Sequence, residues 1–189
     1  MRCIAIGDIH MTADNISRRD KVHQADLILI NDFLEGIGIN LHNQVRLFQN
    51  RVCLKGGGDS NRPPCATPSE FSESELAEFA ENGYDQAMNY INPAEPIKKI
   101  KIPLIMISHT PPLKTAVDRL SNGSHVGSKA IRRFIEKRQP VLCISGYIHE
   151  AKGTDTIGHT TTYNPVMFNQ RGWLEIFIET SEIKTVLHD

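Results

Sequence analysis

Four short apolar runs lie along the chain, and each is followed by small or polar residues. The runs are CIAI (3–6), LILI (27–30), PLIMIS (103–108) and VLCIS (141–145). Each has the length of a strand and lacks apolar-polar alternation, as expected for strands that are covered on both faces. Helical sequence lies between the first two runs and between the last two. A β-α-β pattern at both ends of the chain predicts a layered α/β fold.

Two segments carry clear helix signals. Ser72 is followed three residues later by Glu75, which is the spacing of a capping box, and the predicted helix runs toward Gly83. A second helix is predicted over residues 127–137, where three apolar residues recur at helical spacing. Both helices would cover a face of the predicted sheet.

The remaining segments predict antiparallel hairpins. Residues 45–58 would turn at Gln49-Asn50, and residues 154–164 would turn at Gly158-His159. Near the end of the chain, WLEIFIET and EIKTVLH alternate apolar and polar residues as two further strands. We therefore expect a single domain, spanning residues 1–189, with parallel strands at the centre of its sheet and antiparallel strands at the edges.

Composition narrows the class of protein. The chain has 189 residues, 40% of them hydrophobic and 23% charged, with a net charge of -1, so it lacks the basic patch expected of a nucleic-acid partner. No apolar stretch approaches the ~20 residues of a membrane span, and the first residues do not resemble a cleavable signal. The four cysteines form no C-x-x-C pair. These features predict a cytoplasmic protein with reduced thiols.

Candidate chemistry lies directly after the apolar runs, because ligands of open α/β sheets bind beyond the carboxyl ends of the strands. Asp8 and His10 follow the first run, Asp32 follows the second, His109 the third and His149 the fourth. Imidazole and carboxylate groups that converge at one edge suit a divalent metal. Taken alone, Asp8 and His10 are equally compatible with a polar turn, His109 is better interpreted as a turn residue, and His149 is compatible with a surface pair to its neighbour Glu150.

Three motifs resemble a known family. GDIH (7–10), SHTPP (108–112) and GYIHE (146–150) are similar to the first, fourth and fifth signatures of the calcineurin-like metallophosphoesterases. The flanking stretches GGGDSNRPPCATPSEFSESEL and LSNGSHVGSKAIRRFIE resemble the small bacterial and archaeal phosphoesterases of that superfamily. The order of the motifs and their placement at strand ends make the combined match more specific than any single motif.

The resemblance implies a four-layer α-β-β-α sandwich that holds two ions of Mn, Fe, Zn, Ni or Co. In that family the metals polarise a phosphate ester and activate a bridging hydroxide for in-line attack. By resemblance, Asp8, His10 and His149 bind the first metal. His109 binds the second metal and takes a catalytic role.

The sequence departs from the family pattern in two places. The second and third signatures are absent after LILI, as if one βα unit of ~30 residues were missing. Asp32 is then either the bridging carboxylate or the first residue of the following helix. In the fifth signature, Tyr147 stands where the family has histidine. A neutral phenol with a pKa near ~10 is a poorer metal ligand than imidazole, although a metal can deprotonate it.

These departures fall mainly on the second metal site, so we expect one divalent ion rather than two, and Tyr147 becomes a candidate substrate-binding residue. The predicted function is a metal-dependent phosphoesterase-like hydrolase that cleaves a phosphomonoester or phosphodiester. We expect its partner to be a small phosphorylated substrate, and we expect neither a nucleic acid nor a membrane as a partner. The alternative is a catalytically inactive scaffold or binding protein on the same fold. A homodimer is one way to cover sheet surface exposed by a missing unit.

The other histidines carry weaker signals. His125 lies in the Gly/Ser-rich stretch SNGSHVGS, where it either faces a substrate phosphate or, as we favour from sequence, is a solvated loop residue. The stretch GGGD (56–59) lacks the lysine of a phosphate-binding loop and is interpreted as a flexible turn. The remaining four histidines lack supporting partners in the sequence and are predicted to be surface residues: His23, His42, His159 and His188.

Overall fold

A computed structural model describes residues 1–6, 27–30, 41–57, 60–61, 70–92, 102–166, 172–179 and 182–188. These residues form twelve strands and two α-helices. The strands are β1 (Arg2–Ile6), β2 (Leu27–Ile30), β3 (Val45–Phe48), β4 (Val52–Gly57), β5 (Ser60–Asn61), β6 (Glu70–Phe71), β7 (Leu104–Ser108), β8 (Leu142–Ile144), β9 (Gly153–Ile157), β10 (Thr160–Asn164), β11 (Trp173–Ile178) and β12 (Ile183–His188). The helices are α1 (Glu73–Ile91) and α2 (Lys129–Arg138).

The larger sheet has six strands in the order β3-β4-β7-β8-β10-β9. Its four central strands β4, β7, β8 and β10 are mutually parallel, while β3 and β9 pair antiparallel at the two edges. The two edge hairpins turn where the sequence predicted. Gln49 and Asn50 both have positive φ in the first turn, and Gly158 has φ 62 in the second. The predicted parallel centre with antiparallel edges is confirmed for this larger sheet, whereas the first two apolar runs belong to a separate sheet.

The smaller sheet has four strands in the order β12-β11-β1-β2. β1 runs parallel to β2 and antiparallel to β11, with Arg2 opposite Phe177, and β11 pairs antiparallel with β12. The Arg2 guanidinium also forms an ion pair with the carboxylate of Glu175 on β11. An early strand is therefore held next to a late one, at the centre of this sheet.

The two sheets pack face to face. One core cluster joins Cys3, Ala5, Leu174 and Ile176 of the smaller sheet to residues of β4, β7, β8 and β10 in the larger one. The helices lie on the opposite face of the larger sheet, where Met106 and Cys143 contact Ile131, Phe134 and Ile135 of α2. The result is a mixed α/β sandwich, which confirms the predicted fold class. The predicted loss of a βα unit concerns residues 31–44, most of which lie outside the described residues.

Helix α1 begins as predicted but is longer. Ser72 is its N-cap, and the reciprocal hydrogen bonds with Glu75 complete the capping box. The helix continues past Gly83 to Ile91, so the interpretation of Gly83 as a helix end is wrong. A Cβ at Gly83 would lie 2.6 Å from Cε of Lys55, a residue of β4. The glycine allows the helix to approach the sheet closely and does not terminate it.

The interpretation of GGGD as a flexible turn is wrong for its first two residues. Gly56 and Gly57 are the last residues of β4 and pair with Ile107 and Ser108 of β7. Across residues 1–6, 27–30, 41–57, 60–61, 70–92, 102–166, 172–179 and 182–188, no helix is long and apolar enough to cross a membrane.

Candidate active site

The carboxyl ends of β7 and β8 lie side by side, because the two strands are parallel and hydrogen-bonded neighbours. Two connections leave this edge. We call residues 109–128, between β7 and α2, the crossover loop, and residues 145–152, between β8 and β9, the short loop. His109 opens the crossover loop, and the short loop carries Tyr147 and His149. The fold therefore places these three predicted site residues at one edge of the larger sheet.

His109 is fixed through its backbone on both sides. Its N–H donates to Gly57 O at 2.9 Å, at the end of β4. Its carbonyl accepts from Gly146 N at 3.3 Å and from Tyr147 N at 3.1 Å, in the short loop. The position of His109 thus depends on the ends of three parallel strands rather than on its own loop.

Tyr147 lies directly against His109. The centroids of the two rings are 5.3 Å apart and the ring planes are inclined by 56°. Both side chains are half-buried. The residue that departs from the family pattern is therefore in contact with the predicted catalytic histidine.

His149 lies in the short loop, whose backbone forms a hydrogen bond with a buried side-chain amide. The Asn164 side chain is fully buried, and its Nδ2 donates to Ile148 O at 2.8 Å, adjacent to His149. The same Nδ2 lies 3.5 Å from Val117 O, in the crossover loop. Asn164 Oδ1 accepts from Val166 N at 2.9 Å. One amide at the end of β10 thus connects both loops.

The predicted metal ligands are only partly covered by the structure. Asp8 and His10, and with them Asp32, lie outside the described residues. Among the residues that are described, no three His, Cys, Asp or Glu side chains converge closely enough to hold an ion. His109 and His149 supply two imidazoles from adjacent loops, a donor type that suits Zn, Fe and Ni. Imidazole nitrogen is a donor type that fits a divalent ion, and the predicted carboxylate ligand Asp8 is among the residues outside the described part of the chain.

The crossover loop contains a carboxylate that the sequence analysis missed. Asp118 is fully buried at the end of a 3₁₀ turn, Ala116–Asp118. Its Oδ1 accepts from Thr115 N at 2.8 Å and its Oδ2 from Lys114 N at 3.0 Å and Gly127 N at 2.9 Å. His125 Nδ1 lies 2.7 Å from Oδ1. His125 is exposed in the loop, as predicted, but one side of its ring is bound to a buried acid, a contact that the sequence did not reveal.

Two histidines predicted to be surface residues without partners also have partners. His188 stacks on Trp173 with ring centroids 4.5 Å apart, and its Nε2 lies 2.7 Å from Glu175 Oε2. His42 contacts the rings of Phe71 and Phe79. Both interactions join residues distant in sequence, which is why spacing did not reveal them. His159 is exposed, as predicted, and His23 lies outside the described residues.

Two of the described cysteines, Cys143 and Cys53, are unsuited to chemistry at this edge. Burial raises the pKa of the Cys143 thiol to about 12, although the nearby charge of Lys55 acts in the opposite direction. Burial likewise raises the pKa of Cys53 to about 11. Both groups stay protonated at neutral pH and are poor nucleophiles and metal ligands.

Comparison with known proteins gives relatives but no activity. No family model matches the sequence. Over 138 residues the chain is 33% identical to the uncharacterized protein MJ1162 of Methanocaldococcus jannaschii, an alignment that covers 71% of this chain and 56% of that protein. The chain thus spans about half the length of this relative.

Solved structures support the fold alone. One crystal structure aligns with a TM-score of 0.55 at 19% identity, over 86% of this chain and 55% of the other. The protein TT1561 of Thermus thermophilus aligns with a TM-score of 0.49 at 12% identity, over 90% of this chain and 63% of that one, too weak a similarity for any argument. None of the names states an activity or a metal. The likeness to metallophosphoesterases therefore rests on the motifs in the sequence.

Proposed function

We propose that the protein is a metal-dependent phosphoesterase-like hydrolase that cleaves a phosphomonoester or phosphodiester with water. The observation that carries the proposal is the placement of His109 and His149 in adjacent loops at the carboxyl edge of a parallel sheet. Ligand sites of α/β sheets are concentrated at such edges. The order of the three motifs in the sequence supports phosphate-ester hydrolysis as the class of reaction.

Within this proposal, His109 and His149 would hold a divalent ion together with Asp8 and His10. When bound, such an ion supplies positive charge for the phosphoryl oxygens and a water of lowered pKa. Tyr147, packed on His109, would offer its hydroxyl to a phosphate oxygen as a hydrogen-bond donor. The backbone hydrogen bonds to the His109 carbonyl would keep that histidine in place as substrate binds.

The test is hydrolysis of bis(p-nitrophenyl) phosphate with Mn or Ni added, by the whole chain and by His109→Ala and His149→Ala. Both variants should lose at least ~100-fold in metal-dependent turnover, in keeping with the loss of groups that hold the reacting centre. His159→Ala is the matched control, because His159 is exposed at the turn between β9 and β10. Equal rates in all three variants, or no turnover by the unmodified protein, would count against the proposal.

A non-catalytic binding protein on the same fold is the second candidate. The contact of Tyr147 with His109 favours it, since a phenol fills space beside the histidine where the family pattern has a second imidazole. Metal content distinguishes the two candidates. One weakly held ion without turnover supports a binding protein, whereas two ions ~3.5–4 Å apart would contradict it.

A further inference from the structure

The Asp118–His125 pair has the form of an oriented acid-base group. An ionised carboxylate only accepts hydrogen bonds, and the contacts to Asp118 come from four nitrogens able to donate and, at 3.4 Å, from the Thr115 hydroxyl. Three of these nitrogens belong to the backbone of the crossover loop, so the carboxylate cannot move without disturbing the loop. Asp118 is therefore a fixed acceptor at one end of the His125 ring.

This contact determines which nitrogen of His125 is available. With Nδ1–H donating to Asp118, the neutral ring carries its lone pair on Nε2, and the protonated ring carries a proton there. The His125 side chain is 34% exposed, while the Asp118 side chain is fully buried. One end of the ring is thus anchored inside the loop, and the ring retains access to solvent.

Hydrogen bonds connect this pair to the candidate site. Asn61 Nδ2 donates to the carbonyl of Val126, the residue after His125, at 2.9 Å. Asn61 N donates to Thr110 Oγ1 at 3.0 Å, and Thr110 follows His109 directly. The segment carrying His125 is therefore attached, through one residue, to the segment carrying His109.

A second connection leads to the short loop. The Ser121 hydroxyl donates to the carboxylate of Glu150, the residue after His149. The crossover loop thus begins at one candidate histidine, His109, and contacts the neighbour of the other, His149. The Asp118–His125 pair lies in this loop. Loops that bridge a ligand-binding edge are a frequent source of catalytic residues.

We propose that His125, oriented by Asp118, donates a proton to the leaving group of the phosphate ester; this inference rests on the proposed phosphoesterase function. As water attacks phosphorus and loses a proton to solvent, the bond from phosphorus to the leaving oxygen breaks and its electron pair stays on that oxygen. The Nε2 proton of the His125 imidazolium passes to the oxygen, giving an alcohol. His125 regains a proton from solvent, so the net reaction is ester plus water to phosphate plus alcohol.

The test compares leaving groups of different acidity. A weakly acidic leaving group such as phenol or an alkyl alcohol needs a proton as it departs, whereas p-nitrophenol needs it far less. His125→Asn keeps an N–H near the position of Nδ1, for the bond to Asp118, and removes the donor at Nε2. We expect it to lose ~100- to 1,000-fold in kcat for diphenyl phosphate and under ~10-fold for bis(p-nitrophenyl) phosphate, with metal saturating.

Two outcomes overturn the inference while leaving the proposed function intact. Equal losses on both substrates would assign His125 a structural role, and no loss on either would exclude it from the reaction. Absence of turnover by the unmodified protein on both substrates would instead contradict the proposed function and the inference with it. His159→Asn, at the exposed turn between β9 and β10, is the matched control and should leave both rates unchanged.

A spectroscopic measurement tests the orientation without turnover. Long-range ¹H–¹⁵N spectra of the neutral ring should show the proton of His125 on Nδ1, the tautomer that the bond to Asp118 selects. A proton on Nε2 in the neutral ring would contradict the proposed orientation. His125→Gln, which places its amide near the position of Nε2, should restore part of the rate if only a hydrogen bond to substrate is needed, and this would argue against proton donation.

Discussion

The crossover loop and the short loop leave neighbouring strands of the same sheet and each carries a candidate histidine, but they are held in different ways. The crossover loop is held by one of its own residues, because the buried carboxylate of Asp118 accepts hydrogen bonds from backbone nitrogens of the same loop. The short loop is held by hydrogen bonds to residues that lie outside it, namely the carbonyl of His109 and the side-chain amide of Asn164. The crossover loop therefore has a buried acceptor of its own in addition to its bonds to neighbouring residues such as Asn61, whereas the short loop takes its shape mainly from its neighbours.

This difference has a consequence for function. A loop with its own buried acceptor can present a side chain in a defined direction even when residues around it change. A loop held by neighbours transmits any change in them to the residues it carries. We therefore expect damage within the crossover loop to appear first as lost stability, and damage around the short loop to appear also as altered chemistry at Tyr147 and His149.

The largest effect is expected for Asp118→Asn. The amide can accept at only one of the two oxygen positions, so one buried and one partly buried donor lose their acceptor, at a cost of about 4 kcal/mol in the free energy of unfolding. Urea denaturation measures it. Asp155→Asn is the matched control, because Asp155 accepts from Ala116 N at 2.8 Å in an exposed setting and should cost less than ~1 kcal/mol. Similar losses of unfolding free energy in the two variants would show that the crossover loop does not depend on its own buried carboxylate.

Gly127→Ala tests how closely the crossover loop is packed around its acid. An added Cβ would lie 2.6 Å from Pro111 O and 2.8 Å from Asp118 Oδ2, and neither atom belongs to a flexible side-chain end that can move away. We expect a loss of about 3 kcal/mol by urea denaturation. Gly123→Ala isolates the backbone cost, since Gly123 has φ +86 and an added Cβ would meet only an ordinary contact, Arg119 Nη2 at 3.7 Å; it should lose ~1 kcal/mol. The reverse order would contradict the close packing.

Asn164→Ala tests whether the short loop depends on its neighbours. The change removes the donor to Ile148 O and the acceptor of Val166 N from a fully buried site, and should cost about 2 kcal/mol in urea denaturation. Metal-dependent turnover should fall as well, because Ile148 adjoins His149. Asn122→Ala is the control: Asn122 is exposed and accepts a hydrogen bond from Ser124 N at 2.9 Å, so ~0.5 kcal/mol and full turnover are expected. An Asn164 variant with unchanged turnover would show that the short loop holds its own shape.

The smallest effect is expected for Ser121→Ala, which breaks the exposed hydrogen bond between the two loops at Glu150. Surface interactions of this kind contribute ~0–1 kcal/mol, so the melting temperature should fall by under ~4 °C. A thermal scan detects it, with Ser124→Ala as the exposed control in the same loop. A drop above ~4 °C would mean that the two loops stabilise each other, which would contradict the conclusion that they are held in different ways.

Much of the fold was readable from the sequence because the signals are local. The unbroken apolar runs predicted β1, β2, β7 and β8, and the turn residues Gln49-Asn50 predicted the β3–β4 hairpin. Helix α1 was underestimated because a glycine that serves close packing against Lys55 looks the same in sequence as one that ends a helix.

The site was only partly readable. Strand ends pointed to His109, Tyr147 and His149, which the fold brings to one edge. The Asp118–His125 pair was missed, because its geometry depends on a loop folding back on itself and no spacing rule encodes that. An acidic residue directly after buried Val117, within a long loop rich in glycine and serine, was the available signal.

The pairing of β1 with β11 has a consequence for how the chain acquires its shape. Arg2 and Glu175, which are bonded across these strands, are separated by 173 residues. A ribosome adding about 5–20 residues per second produces the first strand roughly 10–30 s before its antiparallel partner. During that interval the larger sheet, whose strands fall between residues 45 and 164, can assemble while β1 still lacks its antiparallel partner β11. Completion of the smaller sheet is therefore a late, long-range event, and contacts of this kind slow folding.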